Sequence, residues 1–212
     1  MFGKFKRIKA EKDLKNSRSE LKKAIDDNIT SSQTSIDDIS EILADFKKHK
    51  YSKHDAFLNL CIFSDIVNID LSILLEKLRI AEREQEKKLF ARVIAVTLID
   101  YLDNISVLIG RDCLRELKTN NMNEFIYEFK SIHKRFSKFK KEKQQPLREI
   151  RNKTLAHKSK DALELNDYLK KLDVESVYQN GLEVKKLSKE FIDLSTKVIL
   201  FIADYMKAGR KL

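Results

Sequence analysis

Residues 57–78 read FLNLCIFSDIVNIDLSILLEKL, and this stretch decides the fold class. Apolar side chains recur in it at intervals of three and four residues, as they do on the buried face of an α-helix. The apolar positions are Phe57, Leu58, Cys61, Ile62, Ile66, Ile69, Ile73, Leu74 and Leu78. The pattern continues for about six helical turns. It predicts a long helix that is buried in a core.

Four other stretches show the same helical spacing. They cover residues 36–46, 90–108, 123–143 and 182–207. The charged residues 82–88 either separate the helix over 90–108 from its predecessor or continue it. The closing helix is expected to turn these side chains inward: Val184, Leu187, Phe191, Leu194, Val198, Phe201 and Ile202.

Residues that commonly break helices mark the expected boundaries. Gly110 is expected to end the helix over 90–108 as its C′ residue. Pro146 is expected to end the helix over 123–143 and to start a short one over 146–157. The pair Asn180-Gly181 is expected to break the chain before the closing helix, after another short helix over 161–172.

The composition supports an all-α fold. Only four Gly and one Pro occur among 212 residues, too few for the turns of a sandwich or barrel. We expect a bundle of four to five core helices with short peripheral helices, over residues 35–212. Residues 1–34 are expected to form a basic N-terminal helical arm and linker. The segment DDNITSSQTS, 26–35, is the linker candidate because it is polar and rich in Ser and Thr.

The charge indicates a polyanionic partner. Lys and Arg number 43 against 33 Asp and Glu, a net charge of +10. Residues 130–160 hold twelve Lys or Arg and two Glu, which equals that whole excess.

Other features predict a cytoplasmic protein. Cys61 and Cys113 lie in apolar stretches and are interpreted as reduced core thiols. The N-terminus lacks the apolar run of a signal peptide. The most apolar stretch, 93–102, is too short and too charged to span a bilayer. No membrane association is expected.

Most enzyme classes with strong motifs are excluded. The four histidines show no HExxH spacing, and no other metal-ligand template is present. Four glycines cannot build a phosphate-binding loop, and no nucleophile motif appears. We therefore expect neither a metal nor a cofactor.

One short stretch carries candidate chemistry. Residues 151–157 read RNKTLAH: Arg151 is followed by Asn152, and His157 comes six positions after the Arg. This resembles the R-x(4–6)-H motif of the HEPN superfamily, all-helical prokaryotic proteins that are often metal-independent ribonucleases. The Asn after the Arg and the Ala156-His157 pair are most similar to the abortive-infection branch. The resemblance covers roughly residues 35–207. It implies an endoribonuclease in phage defence or a toxin–antitoxin system, a homodimer, and a possible antitoxin or other protein partner.

The same residues suit RNA cleavage on physical grounds. Metal-free cleavage needs an acid or base that works near neutral pH and cations that bind the phosphate. His157 has a suitable intrinsic pKa, and Arg151 can bind a phosphate bidentately. Asn152 could orient either the imidazole or the phosphate. The residues expected to bind RNA are Lys138, Lys140, Lys141, Lys143, Arg148, Lys153 and Lys158.

An ideal helix would separate the two principal residues. Over six positions Arg151 and His157 lie about 120° apart in azimuth and about 9 Å apart along the axis. One subunit then offers a splayed pair, and two copies facing each other would complete a cleft.

Alternative interpretations need no catalysis. His157 is then a helix-terminal histidine favoured by the helix dipole, and Arg151 pairs with Asp161 or Glu149. The Lys run over 138–143 is a solvated helix face. The aromatic and apolar residues at helical spacing are core rather than base-stacking groups: Phe125, Phe129, Ile132, Phe136 and Phe139. The rival function is a non-catalytic helical module that binds nucleotide, nucleic acid or a protein.

Overall fold

The structure is a computed structural model that describes the backbone of residues 2–156 and 161–207. Side chains are described for residues 19, 20, 22–155 and 161–205. Seven α-helices occur in these ranges, and no strand does. They are α1 (Phe2–Lys48), α2 (Asp55–Ile80), α3 (Glu84–Val107), α4 (Leu114–Thr119), α5 (Asn123–Arg151), α6 (Ala162–Lys170) and α7 (Val174–Lys207). A first π-helical turn, Leu108–Cys113, joins α3 to α4, and a second, Asn152–Ala156, follows α5.

The expected helical bundle is confirmed. Helices α2, α3, α5 and α7 pack around one apolar core, and α1 lies along α2. The core includes fully buried Phe57, Phe129, Phe136 and Phe191. Tyr101 is also buried, and its hydroxyl lies 3.2 Å from the Ser188 hydroxyl on α7. Burial raises the pKa of Tyr101 to about 12.

Two of the inward faces follow the periodicity closely. In α5, Phe129, Ile132, Phe136 and Phe139 are buried and Phe125 is half-buried, so they belong to the core. In α7 all the predicted inward positions are buried except Phe201, which is half-buried. In α2 the periodicity fails at Ile66 and Ile73, which are 45% and 39% exposed.

The predicted linker over 26–35 is wrong. Helix α1 runs through this segment without a break. The reason is tertiary, because its polar side chains face α2. Ser32 is only 5% exposed, and Ser35 donates a hydrogen bond to Asp65 on α2. The division of the chain at residue 35 into an arm and a bundle domain remains a prediction.

The predicted break at Gly110 is also wrong. The chain passes through Gly110 in the first π turn and continues into α4. A Cβ at this position would lie 2.8 Å from the His133 Nε2 atom on α5. The missing side chain thus allows the two segments to approach each other.

Asn180-Gly181 does not break the chain either. Both residues are buried inside α7. A Cβ on Gly181 would lie 2.7 Å from the Leu75 Cδ2 atom of α2. Here too the glycine serves close helix packing rather than a turn.

Pro146 lies inside α5 and does not separate two helices. A proline in a helix interior removes one backbone hydrogen bond and costs roughly 3 kcal/mol. Pro146 is exposed, whereas the next turn contains the buried Leu147 and Ile150. Burial of this last turn against the core offsets the cost of the proline.

Both cysteines are free and buried, as expected for core thiols. Burial raises the pKa of Cys61 to about 12 and also raises the pKa of Cys113.

Within the described residues, two helical stretches are long and apolar enough to cross a membrane by length and composition. They are Asp55–Ile80 and Glu84–Thr119, and 56% and 44% of their most apolar windows are buried in the bundle. Core helices of bundles share this composition. The predictions of no membrane association and a cytoplasmic location remain predictions.

Candidate functional site

The candidate residues lie on α5 and on the second π turn. One side of α5 is buried, as described above. The opposite side carries four exposed lysines at intervals of three and four, Lys130, Lys134, Lys138 and Lys141. This row, here named the lysine stripe, follows one face of the helix because residues at such spacing are neighbours on its surface.

Two of the residues expected to bind RNA point instead at an acidic side chain of α3. Arg148 donates from its Nη2 atom to both carboxylate oxygens of Asp103, at 2.5 and 2.7 Å. The Lys140 Nζ atom lies 2.9 Å from Asp103 Oδ1. Partial burial by itself would raise the pKa of Asp103, but Lys140 and Arg148 outweigh it and lower that pKa. The three side chains clamp α5 onto α3.

Arg151 also pairs with α3. Its Nη1 atom lies 3.6 Å from Asp100 Oδ1, and its side chain is 33% exposed. The ion-pair interpretation of Arg151 is therefore correct in kind, although the partner is neither Asp161 nor Glu149. One edge of the guanidinium faces Asp100, and its exposed part can still contact a phosphate.

The α-helix changes to a π turn directly after Arg151. Asn152 begins this turn and its side chain is exposed. Thr154 is buried and donates a hydrogen bond to the Ile150 carbonyl at 2.6 Å. The short helix expected over 146–157 is thus wrong, because residues 146–151 belong to α5. The offset of about 120° between positions 151 and 157 assumed an ideal α-helix and does not apply across a π turn, which bonds residue i to i+5.

His157 and Lys158 lie outside the described residues. Arg151 and Asn152 are adjacent at the end of α5, but the placement of the third catalytic candidate stays a prediction.

The remaining RNA-binding candidates differ in their surroundings. Lys153 lies 3.1 Å from Glu149 and 4.9 Å from the centre of the Tyr168 ring. Lys138 lies 3.9 Å from Glu142. Among described side chains, Lys141 and Lys143 have no ion pair. Three lysines of the lysine stripe, Lys130, Lys134 and Lys141, therefore have no ion pair among described side chains, whereas Arg148 is paired with Asp103.

Sequence reasoning missed four residues of this region. Asp100 lies in the most apolar stretch, 93–102, and Asp103 follows three positions later; this spacing indicates that they face one common partner surface. Lys130 and Lys134 continue the spacing of Lys138 and Lys141. Helical spacing alone would have found these two lysines.

No group of three His, Cys, Asp or Glu side chains suited to a metal ion occurs where side chains are described. Comparisons of the chain with protein-family models, with curated proteins and with solved structures find no match.

Proposed function

We propose that this protein is an endoribonuclease of HEPN type that cleaves RNA without a metal ion. The observation that supports this proposal best is the place of Arg151 and Asn152. They lie side by side where the basic helix α5 changes into a π turn, a kind of irregularity that is frequent at functional sites. His157 follows within one residue of that turn in the sequence.

The proposed reaction uses the RNA's own 2′-hydroxyl. The 2′-oxygen attacks the adjacent phosphorus while a base takes its proton, and the bond from phosphorus to the 5′-oxygen breaks. The 5′-oxygen receives a proton, so the products end in a 2′,3′-cyclic phosphate and a 5′-hydroxyl. His157 acts as the base or the acid, and Arg151 stabilises charge on the phosphate. Asn152 orients one of them.

Asp100 lies 3.6 Å from one side of the Arg151 guanidinium and favours one orientation of that side chain. An arginine held through one edge by a carboxylate loses less conformational entropy when its other edge meets a phosphate. The lysine stripe is the proposed path for the RNA backbone, since its charges follow one helix face.

We further propose, from the resemblance alone, that the protein acts as a homodimer in the cytoplasm. The resemblance also supplies the setting, phage defence or a toxin–antitoxin system, and the possible antitoxin partner. The site then draws on two copies of the segment 151–157 that face each other.

The decisive experiment is cleavage of mixed RNA by the purified protein, with and without EDTA. Wild-type protein is expected to cut in both conditions and to leave cyclic phosphate ends. His157→Ala and Arg151→Ala should each lose at least about a hundredfold in rate, the usual range for removing a general acid–base group or a charge-stabilising group. Matched controls are His49→Ala and Arg79→Ala, which remove exposed side chains of the same types and should keep wild-type rates.

Mixing the two inactive variants tests the dimer. Heterodimers regain part of the activity if the Arg and His of one site come from different subunits. Absence of cleavage by wild-type protein, or full cleavage by His157→Ala, overturns the proposed function and favours the non-catalytic binding module.

A further inference from the structure

A polar groove lies on the side of the bundle formed by α1, α2 and α7. Its cavity measures about 480 Å³, within the range of small-molecule sites. None of its lining residues is among those proposed for RNA cleavage, which lie on α5 and the second π turn. It therefore calls for an explanation of its own.

The α2 side of the groove holds a buried carboxylate. Asp65 is 2% exposed, and its Oδ2 atom accepts a hydrogen bond from the Ser35 hydroxyl at 2.8 Å. No described residue donates a well-formed hydrogen bond to its buried Oδ1 atom. Buried polar atoms are nearly always paired, because leaving one unpaired costs about 1–3 kcal/mol. Burial also raises the pKa of Asp65. Because Asp65 lines the groove, a turn of its side chain that brings this oxygen to the groove surface lets it accept a hydrogen bond from a bound hydroxyl group.

The α7 side of the groove is cationic. Lys185 is half-buried, and its ammonium group donates to the Ser72 hydroxyl at 2.7 Å. No carboxylate pairs with Lys185 among the described residues, and burial lowers its pKa. Lys186 and Lys189 line the same groove. The acidic Asp193 also lines it. The α7 side of the groove therefore carries three ammonium groups and one exposed carboxylate.

A closed hydrogen-bond network forms the floor between these two ends. Asn68 donates to Ser32 at 3.0 Å and to Asn28 at 3.3 Å. Ser72 lies 3.2 Å from the same Asn28 oxygen. Asn68, Ser32 and Ser72 are buried. The network links polar side chains of α1 and α2 across the floor of the groove.

The lining indicates the class of ligand. Its described residues carry hydroxyl, amide, carboxylate and ammonium groups but no aromatic side chain, and all three ammonium groups come from α7. A nucleobase would normally stack on an aromatic ring, whereas sugar hydroxyls need hydrogen-bond partners of this kind. We propose that the groove binds a sugar phosphate, with Asp65 accepting from a sugar hydroxyl and Lys185, Lys186 and Lys189 binding the phosphate. The sugar phosphate is either a free metabolite or the ribose phosphate of a nucleotide.

Isothermal titration of the full-length protein tests this proposal. The probes are ribose 5-phosphate, glucose 6-phosphate and AMP, with ribose and inorganic phosphate as the two halves of the ligand. We expect at least one phosphorylated sugar to bind tenfold or more tightly than either half. Binding of AMP alone identifies the source as a nucleotide, and binding of the free sugar phosphates identifies a metabolite.

Two variants assign the binding to the groove. Asp65→Asn keeps an acceptor for Ser35 and should weaken binding at least tenfold without lowering thermal stability. Lys185→Gln should also weaken binding at least tenfold, because it removes an ammonium group that contacts the phosphate. Lys118→Gln, which removes an exposed lysine on α4, is the matched control. Three outcomes overturn the proposal. No phosphorylated probe binds, inorganic phosphate alone binds as tightly as the phosphorylated sugars, or both groove variants bind as tightly as wild type. RNA cleavage in these variants should equal that of wild type, so this test and the test of the proposed function fail separately.

Discussion

The interface between α1 and α2 has two halves of opposite chemistry. Near the end of α1, the buried Ile39, Leu43 and Phe46 face the start of α2 around Leu58. Further back, Asn28, Ser32 and Ser35 face Asp65, Asn68 and Ser72 through hydrogen bonds. The same two helices thus meet through apolar contacts over one stretch and through a polar network over the next.

The two halves are expected to contribute differently to the stability of the fold. Apolar burial stabilises in proportion to the area removed from water, about 25 cal/mol per Å². A buried hydrogen bond adds only about 1 kcal/mol net, because the same groups bond water in the unfolded chain. The apolar half is therefore expected to hold α1 in place, and the polar half lines the groove that contains the unpaired Asp65 oxygen. Three measurements test this division.

The largest effect is expected from Leu43→Ala in the apolar half. Leu43 is 6% exposed, so its truncation leaves a cavity and should cost about 2–5 kcal/mol in the free energy of unfolding. Urea denaturation measures the loss. Leu200→Ala is the matched control, because Leu200 is 60% exposed and its truncation opens no cavity. Equal losses in the two variants would show that the apolar half does not hold α1.

Acid should weaken the same half through His54, which lies fully buried beside Phe46 and Tyr51. Burial, aided by Lys53 and opposed by Asp55, lowers its pKa from 6.5 to about 4. As the pH falls, His54 therefore binds a proton at a higher pH in the unfolded chain than in the folded protein. The contribution of neutral His54 to the free energy of unfolding is complete above pH 6.5. It is lost as the pH falls to about 4, and the loss is about 3 kcal/mol in total. Unfolding free energies measured between pH 7 and 4 should fall less steeply for His54→Gln than for wild type. His49→Gln, at an exposed histidine, should keep the wild-type slope; equal slopes in all three proteins would contradict this role of His54.

The smallest effect is expected from Ser35→Ala in the polar half. It leaves the buried Asp65 carboxylate without its hydrogen bond from Ser35 and should cost about 1–3 kcal/mol, measured by urea denaturation at pH 7. Thr34→Ala is the control, since the Thr34 hydroxyl bonds only its own helix at an exposed position; it should change stability by less than about 0.5 kcal/mol. A loss as large as that of Leu43→Ala would mean that both halves hold α1 equally.

The helices themselves could be predicted from local spacing. The periodic stretches became α2, α3, α5 and α7 because a one-sided apolar pattern has one stable arrangement, a helix with that side buried. The assignments of Phe129 and Phe136 to the core follow from the same reasoning. The position of Arg151 and Asn152 at the end of α5 does not follow from it, because Pro146 was expected to end that helix and start another.

The sequence by itself therefore determined the fold class, the helix faces and the basic character of α5, because these depend on neighbours within a few residues. Tertiary structure alone decided the rest. Local signals for breaks occur at Gly110, at Gly181 and in the segment 26–35, yet all three are helical. Each packs closely against a residue of another helix: His133, Leu75 and Asp65, respectively. Arg151 pairs with Asp100, which lies 51 positions earlier in the chain. Asp65 lines one groove with residues of α7 because α1, α2 and α7 pack together. Such partners are set by how helices pack, and no short stretch of sequence contains that information.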